Sequence, residues 1–456
     1  KQFWENTPYR GYLSSVETGA HFGLGSVSQL DSVVIIWQEG KTEVLKNVAA
    51  NQILEANIQN AIPSPAARQP SPANRPSSTV FTDVTALLNI NFIHPESDYI
   101  DYNVQRLLPH KLSQYGPGMA VSDVNGDGLD DFYIGGSHFN KGKFFIQQAN
   151  GSFEMQDLLP GPDGDAKTEE ELGVLFFDAD KDGDADLYLA NGGYEFEPAD
   201  SAYQDKLFFN ENGKFRLAKS ALPQFLCSSS CVKAADYDRD GDLDLFVGGR
   251  VLPFEYPTPV SSYLLRNDGK GNFSIANQTA APVLDKLGLV CDALWTDFDN
   301  DGWVDLLIAG EWMPITFFRN NKGVLDPGSR IQIPNSTGWW NSLLAADFDL
   351  DGDMDYVAGN LGLNTLLRSS EKRSIGIYFA DYDDNKGLDP FLSAFFPDKK
   401  GELTEFPFFV RGDMDMQLPK LKGLFPRHYM YGEATIQTVV DRFPKVKPTV
   451  YKATQL

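Results

Sequence analysis

Six nine-residue stretches of the chain place oxygen-bearing side chains at regular intervals, in the order Asp-x-Asp-x-Asp-Gly-x-x-Asp or a close variant. In the third stretch, side chains at positions 1, 3, 5 and 9 belong to Asp236, Asp238, Asp240 and Asp244. With the carbonyl of position 7, Asp242, they offer the hard oxygen ligands that calcium prefers. Carboxylates gathered without a cation repel one another, so metal binding and local folding should be linked.

The other five stretches supply the same ligand positions. The predicted ligands are Asp123, Asn125, Asp127, Leu129 and Asp131; Asp178, Asp180, Asp182, Asp184 and Asp186; Asp297, Asp299, Asp301, Trp303 and Asp305; Asp347, Asp349, Asp351, Asp353 and Asp355; and Asp381, Asp383, Asn385 and Asp389. The sixth stretch is looser, because Lys386 stands where Gly is expected and Gly387 comes one place late. The sequence therefore predicts about five to six bound calcium ions as cofactors.

Two helical calcium motifs are excluded by the residue at position 12. An EF-hand shares the first six positions but requires an acidic residue there. In the first five stretches that position is apolar and lies in a strand pattern: Ile134, Leu189, Val247, Ile308 and Ala358. The stretches are therefore neither EF-hands nor dockerin-like loops.

The net charge of the chain is concentrated in the six stretches. They contain 27 Asp and three basic residues, Lys181, Arg239 and Lys386, so their formal charge of −24 equals that of the chain. The remainder is close to neutral and has no basic stripe, which argues against nucleic acid as a partner. No run approaches 18 apolar residues, so no transmembrane segment is predicted.

The elements that must position these stretches are short strands. The stretches begin 55, 58, 61, 50 and 34 residues apart, and most lie between two apolar runs followed by a Gly-containing hairpin. About four strands per repeat, without helical periodicity, predict an all-β fold: a β-propeller of six to seven four-stranded blades. A β-solenoid is the alternative, although its repeats are usually shorter.

Three regions follow from the composition. Residues 1–61 read as a small β domain, with strand patterns at Val33–Trp37 and around Val44. Residues 62–80 are rich in Pro, Ser and Ala and read as an extended linker. Residues 81–456 hold the calcium-binding propeller.

These patterns resemble known families. The stretches, with Gly-Gly or Ala-Gly after the second strand, resemble FG-GAP/VCBS repeats of integrin-α-like propellers from Phe81 onwards; the pairs are Gly135-Gly136, Gly248-Gly249 and Ala309-Gly310. The N-terminal region resembles the ASPIC/UnbV domain, with Trp-Gln-Glu-Gly in place of the usual Trp-Pro-Asp-Gly. The residues that carry this are Arg10-Gly11-Tyr12-Leu13-Ser14-Ser15, His21-Phe22-Gly23-Leu24-Gly25, Trp37-Gln38-Glu39-Gly40 and Asn51-Gln52.

The combination resembles large Bacteroidetes surface proteins with VCBS repeats. This resemblance implies an extracellular or bacterial cell-surface location associated with the outer membrane, where millimolar calcium keeps weak sites filled. It also implies that the chain is an internal or C-terminal portion of a longer protein. Because residues 429–456 lack a seventh Asp stretch, a closing blade is expected to be missing or atypical.

Polar and aromatic residues near the second strands form a candidate ligand site. In a propeller, equivalent loops converge around the central channel, where Trp rings can stack on sugars and amides can bind hydroxyls. The predicted ligand-binding residues are Arg250, Glu311, Trp312, Trp339, Trp340, Asn341, Asn360 and Asn364. The alternative, that they plug the channel or wedge the blades, stays open.

The sequence thus favours a non-enzymatic, calcium-binding surface propeller that binds glycan or protein, as part of an outer-membrane assembly. No catalytic residues are predicted, and no nucleophile elbow, zinc signature or phosphate loop is present. The alternative is a calcium-dependent polysaccharide-degrading enzyme, a lyase or glycosidase, with Glu311, Glu255 and Glu96 as spare carboxylates. A purely structural subunit is a third option.

Three minor features have two interpretations each. His94, Glu96 and His110 could hold a metal, but their spacing matches no known motif. Cys227 and Cys231 could form a disulfide or could be ordinary small residues near a strand. The tripeptide Arg411-Gly412-Asp413 matches an integrin-recognition sequence, and short matches of this kind arise by chance.

Overall fold

The computed structural model of the chain describes residues 22–37, 41–63, 81–158, 167–362 and 364–456. The chain divides into two compact units, Lys1–Asp83 and Val84–Leu456. Residues 10–15, His21 and residues 38–40, which carry part of the ASPIC/UnbV resemblance, lie outside the described residues. Most of the predicted linker, residues 64–80, does so as well.

The smaller unit contains an antiparallel three-stranded sheet in the order β1-β2-β3. Its strands are β1 (Gln29–Ile36), β2 (Lys41–Ala49) and β3 (Ile62–Pro63). Val33 lies opposite Leu45 and Val34 opposite Val44, so the two predicted strand patterns pair with each other. Ile62 pairs with Thr42, which places the end of this sheet two residues inside the predicted linker.

The larger unit is built from six antiparallel strand groups, here named blades 1 to 6 in chain order. Blades 1 to 3 are four-stranded, and consecutive strands are neighbours. Their strands are β4 (Met119–Ser122), β5 (Asp131–Ile134), β6 (Lys143–Gln147) and β7 (Phe153–Asp157); β8 (Glu170–Phe177), β9 (Asp186–Gly192), β10 (Lys206–Asn210) and β11 (Phe215–Leu217); β12 (Ser228–Ala235), β13 (Asp244–Val251), β14 (Tyr263–Asn267) and β15 (Phe273–Ile275).

Blades 4 to 6 are less regular. Blades 4 and 5 share one six-stranded sheet through the pairing of β17 with β20, and the order in blade 6 is β24-β23-β22-β25. Their strands are β16 (Leu289–Thr296), β17 (Asp305–Met313), β18 (Thr316–Asn320) and β19 (Leu325–Gln332); β20 (Gly338–Ala346) and β21 (Asp355–Asn360); β22 (Ile375–Ala380), β23 (Asp389–Pro397), β24 (Leu403–Pro407) and β25 (Thr449–Ala453).

The first strands of successive blades pack side by side. Strand β8 contacts β4 and β12, and β16 contacts β12 and β20. The second strands of blades 2 to 4 are buried on both faces, since all residues of β9, β13 and β17 are buried, whereas β5 and β21 are buried less completely. The all-β, propeller-type fold predicted from the repeats is thereby confirmed.

Two details differ from the four-stranded expectation. Blade 5 has only β20 and β21 among the described residues, because 34 residues separate its Asp stretch from the next and leave no length for a second hairpin. Blade 6 obtains its fourth strand from the C-terminal β25, whose Tyr451 pairs with Ile377. The expected atypical closing region is therefore a strand contributed from the end of the chain.

Helices occur where the sequence led us to expect none. The described helices are α1 (Asn277–Ala280), α2 (Arg411–Gln417), α3 (Leu421–Leu424), α4 (His428–Gly432) and α5 (Ile436–Val440). Helices of four to seven residues are too short to display a 3.6-residue periodicity. Those between β24 and β25 instead depend on tertiary burial, since Met414, Leu421 and Phe425 pack with Phe391 of blade 6. No helix in the described part of the chain is long and apolar enough to cross a bilayer.

The segment before blade 1 enters the middle of the larger unit. Gln105 is 2% exposed, and its Nε2 donates to the carbonyls of Tyr256 and Leu388, both at 3.1 Å. Its Oε1 accepts from the Tyr256 N–H at 2.9 Å and from the Tyr194 hydroxyl. These partners follow the second strands of blades 2 and 3 or lie in the Asp stretch of blade 6. One amide therefore connects three blades.

We predict that Gln105→Ala destabilises the protein by about 2–4 kcal/mol, because buried backbone groups of Tyr256 and Leu388 lose their partner. Urea unfolding followed by circular dichroism measures this change. Gln114→Ala is the matched control, since Gln114 is exposed and makes one bond, to the Ser97 carbonyl. Equal unfolding midpoints for the two variants would contradict the proposed central role of Gln105.

Candidate functional site

All six Asp stretches occupy the same place in their blades, and we call them Asp loops 1 to 6. Each joins two consecutive strands, and position 9 is the first residue of the second strand. In blade 3, β12 ends at Ala235, the loop begins at Asp236, and Asp244 starts β13. In blade 6, β22 ends at Ala380 and Asp389 starts β23. The loop is therefore a strand-to-strand turn whose sequence also gathers carboxylates.

The first Asp of each loop closes the turn by accepting backbone N–H groups. Gly302 N donates to Asp297 Oδ2 at 2.8 Å, and the corresponding bonds occur in the other loops. The glycine at position 6 has a positive φ, 91° at Gly241. Loop 6 forms the same turn despite its altered sequence: Lys386 adopts φ 69° and its N–H donates to Asp381 Oδ2 at 2.9 Å. The misplaced glycine thus does not prevent the loop conformation.

The Asp at position 9 has a second task that the sequence did not reveal. It is fully buried in loops 1 to 4 and loop 6. In blade 2, Asp186 Oδ2 accepts from Ala179 N at 2.9 Å and its Oδ1 accepts from Asn210 N at 2.8 Å. Asp305 repeats this with Phe298 N at 3.2 Å and Asn320 N at 2.7 Å. This carboxylate therefore ties the third strand to the loop.

Carboxylate oxygens converge inside at least four of the loops. In loop 3 one oxygen from each of four Asp residues lies within 4.8 Å of the others. Loops 2, 4 and 5 gather three in the same way. The converging sets are Asp236, Asp238, Asp240 and Asp244; Asp178, Asp180 and Asp186; Asp297, Asp299 and Asp305; and Asp347, Asp349 and Asp351.

The loop residues fit a bound cation. Buried oxygens of Asp178, Asp180, Asp236 and Asp244 have no hydrogen-bond partner among the described residues. Burial raises the pKa of Asp186 to about 7, and it also raises the pKa of Asp244 to about 7. In the cation-free protein their ionisation at neutral pH therefore costs stability. A calcium ion would supply the missing partner and favour the ionised carboxylates.

Basic side chains also lie against the loops. Arg266 on β14 pairs with Asp238, and Arg319 next to the end of β18 pairs with Asp299. Lys181 of loop 2 pairs with Asp242 of loop 3, and the Arg239 guanidinium of loop 3 lies 4.3 Å from the Trp303 ring centroid of loop 4. Position 4 of one loop thus contacts position 7 of the next. Three of these four cations are about half exposed, so each pair contributes little alone.

A buried Asn at the end of the third strand joins neighbouring loops. Asn320 Nδ2 donates to the Tyr237 carbonyl of loop 3 at 2.7 Å and to the Val304 carbonyl of loop 4 at 2.9 Å. The same double donation recurs twice, from Asn210 to Val124 and Ala185, and from Asn267 to Ala179 and Leu243. The recurrence of Asn at Asn210, Asn267 and Asn320, about 57 and 53 residues apart, is the sequence signal for this contact.

The predicted ligand-binding residues separate into two groups. Arg250, Glu311, Trp312, Trp339 and Trp340 are buried, with 2–8% of their surface exposed. Asn341, Asn360 and Asn364 are exposed. The amides of Asn341 and Asn360 lie on adjacent strands of blade 5, since Trp340 pairs with Asn360 across β20 and β21.

The buried group forms a polar cluster around Glu311. Arg250 Nη2 lies 2.6 Å and His110 Nε2 2.9 Å from Glu311 Oε1, and the Tyr256 hydroxyl donates to Oε2 at 3.0 Å. Trp312 Nε1 donates to the Tyr256 hydroxyl at 2.7 Å. Burial opposes ionisation of Glu311, but Arg250 and His110 outweigh it and hold the pKa of the carboxyl well below its usual range. Glu311 is therefore a buried counter-ion, with its charge already compensated.

The remaining candidates are placed differently from one another. His110 lies in the Glu311 cluster, whereas His94 and Glu96 pair at 3.0 Å and gather with Glu170. The three-residue set predicted from the sequence is thus not assembled. Glu255 is exposed in the turn after β13.

Two further sequence features also have a definite setting. Cys227 and Cys231 are buried free thiols and are not joined in a disulfide. The tripeptide at Arg411 begins α2, and Arg411 is itself buried and paired with Asp415 at 3.2 Å. A recognition tripeptide is usually exposed on a flexible loop, whereas this Arg411 is buried in a helix.

Two protein families match the chain. The family described as ASPIC and UnbV matches residues 1–63, and that of FG-GAP-like repeats matches residues 123–189, 178–247 and 297–358. Each repeat match begins at the first Asp of one loop and ends at position 12 of the next. The chain therefore contains an ASPIC/UnbV domain and three FG-GAP-like repeats, as the resemblance predicted.

Among known proteins the chain is similar to cartilage acidic protein 1. It is 27% identical over 224 residues to the Mus musculus protein, covering 46% of this chain and 32% of the relative. It is 25% identical over 221 residues to the Homo sapiens protein, covering 46% and 31%. The chain thus spans about a third of the length of these curated relatives.

Similarity to solved structures is weak. A structure of BBS1N in complex with ARL6DN has a TM-score of 0.32 and 11% identity, covering 65% of this chain and 81% of that chain. A structure of RAG in complex with melted and unmelted RSS has a TM-score of 0.28 and 12% identity, covering 67% and 86%. Scores this low carry no functional inference.

We predict that excess EGTA lowers the melting temperature of the calcium-loaded protein. When the free calcium concentration is 100 times the Kd, a loop that binds calcium only when folded adds about 2.7 kcal/mol to the free energy of unfolding, and EGTA removes this contribution. Scanning calorimetry in CaCl2 and in EGTA measures the shift. Mg²⁺ added with EGTA is the control and should not restore it, because Mg²⁺ demands octahedral geometry. Superimposable curves with and without EGTA would contradict a calcium site.

We also predict that Asn320→Ala lowers the free energy of unfolding by about 2–4 kcal/mol, since buried carbonyls of Tyr237 and Val304 are left without a donor. The neighbouring Asn321→Ala is the matched control. Asn321 is exposed, and its replacement should stay within about 0.5 kcal/mol of the original protein. Equal urea midpoints for the two variants would show that the contact between loops adds no stability.

Proposed function

We propose that the chain is a non-enzymatic, calcium-stabilised propeller of a cell surface that binds a glycan or another protein. The observation that carries the proposal is the repetition of one loop geometry at the same strand junction of all six blades. A catalytic site needs a single constellation, whereas six equivalent carboxylate loops fit a scaffold that cations hold in shape. Calcium would be bound by the predicted side chains at positions 1, 3, 5 and 9.

A surface location is supported by the repeat family and by the loops themselves. FG-GAP repeats are typical of extracellular proteins, and loops of this kind remain filled at millimolar calcium. The resemblance to large bacterial surface proteins favours membership of an outer-membrane assembly. The chain would act there through its exposed side chains.

The competing proposal of a polysaccharide-degrading enzyme loses its best candidate acid. Glu311 has 2% of its surface exposed, and its pKa is held low by Arg250 and His110. A glycosidase needs a general acid with a raised pKa beside the scissile bond. Glu311 has the opposite environment, which supports a structural role for it.

Asn341, Asn360 and Asn364 are the members of the predicted ligand set that a ligand can reach. Asn341 and Asn360 lie on neighbouring strands, and their amides present both donors and acceptors. Trp339 and Trp340 are buried in apolar clusters, which favours a role in packing over stacking on a sugar. We therefore assign ligand contact to the three amides.

A glycan array probed with the calcium-loaded chain, and affinity capture of surface proteins, test the proposal. Binding should weaken roughly tenfold in the double variant Asn341→Ala/Asn360→Ala, because two hydrogen bonds to the ligand are lost. Gln437→Ala, a change at an exposed amide of α5, should leave binding unaltered. Incubation with each bound polysaccharide should release no product. Turnover that Glu311→Gln abolishes while binding persists would establish the enzyme instead.

A further inference from the structure

A cluster of one imidazole and two carboxylates lies in the larger unit, away from the Asp loops, and a third carboxylate, Glu195, acts on it electrostatically. Ligand atoms of His94, Glu96 and Glu170 lie within 4.8 Å of one another. Glu170 is the first residue of β8, opposite Gly192, and Glu195 follows three residues later. Loop 2 lies at the other end of the same strand pair, where Phe177 pairs with Asp186. The cluster and the loop are therefore separate features of blade 2.

The buried carboxylates of this cluster are oriented but incompletely bonded. Glu170 is 2% exposed; its Oε2 accepts from His138 N at 2.7 Å, and its other oxygen has no hydrogen-bond partner among the described residues. Glu195 Oε2 accepts from Tyr194 N at 2.6 Å, while its buried Oε1 has no partner in the described part of the chain. Each carboxylate thus uses one oxygen on a backbone amide and keeps the other available.

The imidazole and the glycine nearby complete the arrangement. His94 Nε2 lies 3.0 Å from Glu96 Oε1, and its Nδ1 is buried without a partner among the residues described. The backbone between them is held by the Ser137 hydroxyl, which donates to the Pro95 carbonyl at 2.6 Å. Gly193 has φ 97°, a conformation that favours glycine, and a Cβ there would lie 2.4 Å from the present position of Glu195 Oε2.

Among the described residues, no Lys or Arg forms an ion pair with Glu96, Glu170 or Glu195. Lys167 pairs with Glu171 at 3.1 Å rather than with the cluster. Burial, together with Glu195 and Glu96, raises the pKa of Glu170 to about 9, and burial raises that of Glu195 to about 7. Three carboxylates in one partly shielded place favour a cation between them.

We propose that His94, Glu96 and Glu170, supported by Glu195, bind a divalent transition ion of the zinc type. An imidazole nitrogen with carboxylate oxygens suits Zn²⁺, whereas calcium prefers oxygen ligands alone. Ligand atoms around a tetrahedral Zn²⁺ lie about 3.4 Å apart, which modest side-chain rotation reaches from the present spacing. The backbone N–H groups of His138 and Tyr194 orient the carboxylates as partners of metal ligands do.

Calorimetric titration of the full chain with Zn²⁺, in about 1 mM CaCl2 to keep the Asp loops filled, tests this site. One equivalent of Zn²⁺ should bind, and His94→Gln and Glu170→Gln should each weaken binding at least tenfold. His428→Gln removes an exposed imidazole from α4 and should leave the affinity unchanged. Melting curves of each variant in calcium identify any that fails to fold, in which case Glu96→Gln replaces it.

Cobalt spectroscopy supplies an independent readout. Co²⁺ in the same protein should give a visible absorption that Zn²⁺ displaces and that His94→Gln removes. The proposal is wrong if Zn²⁺ does not bind, or if His94→Gln and His428→Gln bind it equally. It is also wrong if increasing the calcium concentration progressively displaces the bound Zn²⁺. The last outcome would assign the zinc to the Asp loops. Calcium-dependent melting is measured separately, so failure of the zinc site leaves the proposed function standing.

Discussion

Each blade depends on one constraint: the carboxylates of its Asp loop are crowded together where the first strand passes into the second. Asp244 shows why: it is fully buried, its Oδ1 accepts from Asn267 N at 2.8 Å, and its other oxygen has no partner among the described residues. The fold thus needs this side chain as an acceptor for the third strand. Burial opposes its ionisation, and the nearby carboxylates of Asp238, Asp240 and Asp236 add to this effect. The proposed cation would resolve the conflict, so the turn, the third strand and the proposed metal site share one carboxylate.

The conflict is not confined to single blades. Asn267 donates to carbonyls in loops 2 and 3, so a shift in one loop is felt in the next. In repeat proteins stability is close to a sum of repeat and nearest-neighbour terms, and these bonds are a neighbour term located directly at the charged sites. Blade 5 departs from this scheme. It has no described third strand to carry such an Asn, and its loop exposes Phe348 and Leu350.

The sequence predicted the loops and their place in the fold because the relevant information is local. Nine residues contain the whole turn of Asp236 to Asp244, and apolar runs on either side identify the strands. The burial of Trp312 and Trp339 was not predictable in this way. It depends on Gln105 and His110, which come from a segment more than a hundred residues earlier and carry no periodic signal. The short helices after β24 were not predicted for the same reason, since they depend on packing of Met414 and Phe425 against blade 6.

Two clusters at the ends of strands away from the Asp loops show how similar positions acquire different roles. In blade 4, Glu311 is met by Arg250 and His110, so the protein supplies its own counter-charge and the carboxylate stabilises the centre. In blade 2, Glu170 forms no ion pair with a Lys or Arg of the described residues, because the nearby Lys167 pairs with Glu171 and only weakly offsets the burial of Glu170. Burying an uncompensated carboxylate is costly, and a fold retains one only where something else offsets the cost. The contrast between Glu311 and Glu170 therefore separates a completed structural ion pair from a carboxylate for which the proposed cation would supply the counter-charge.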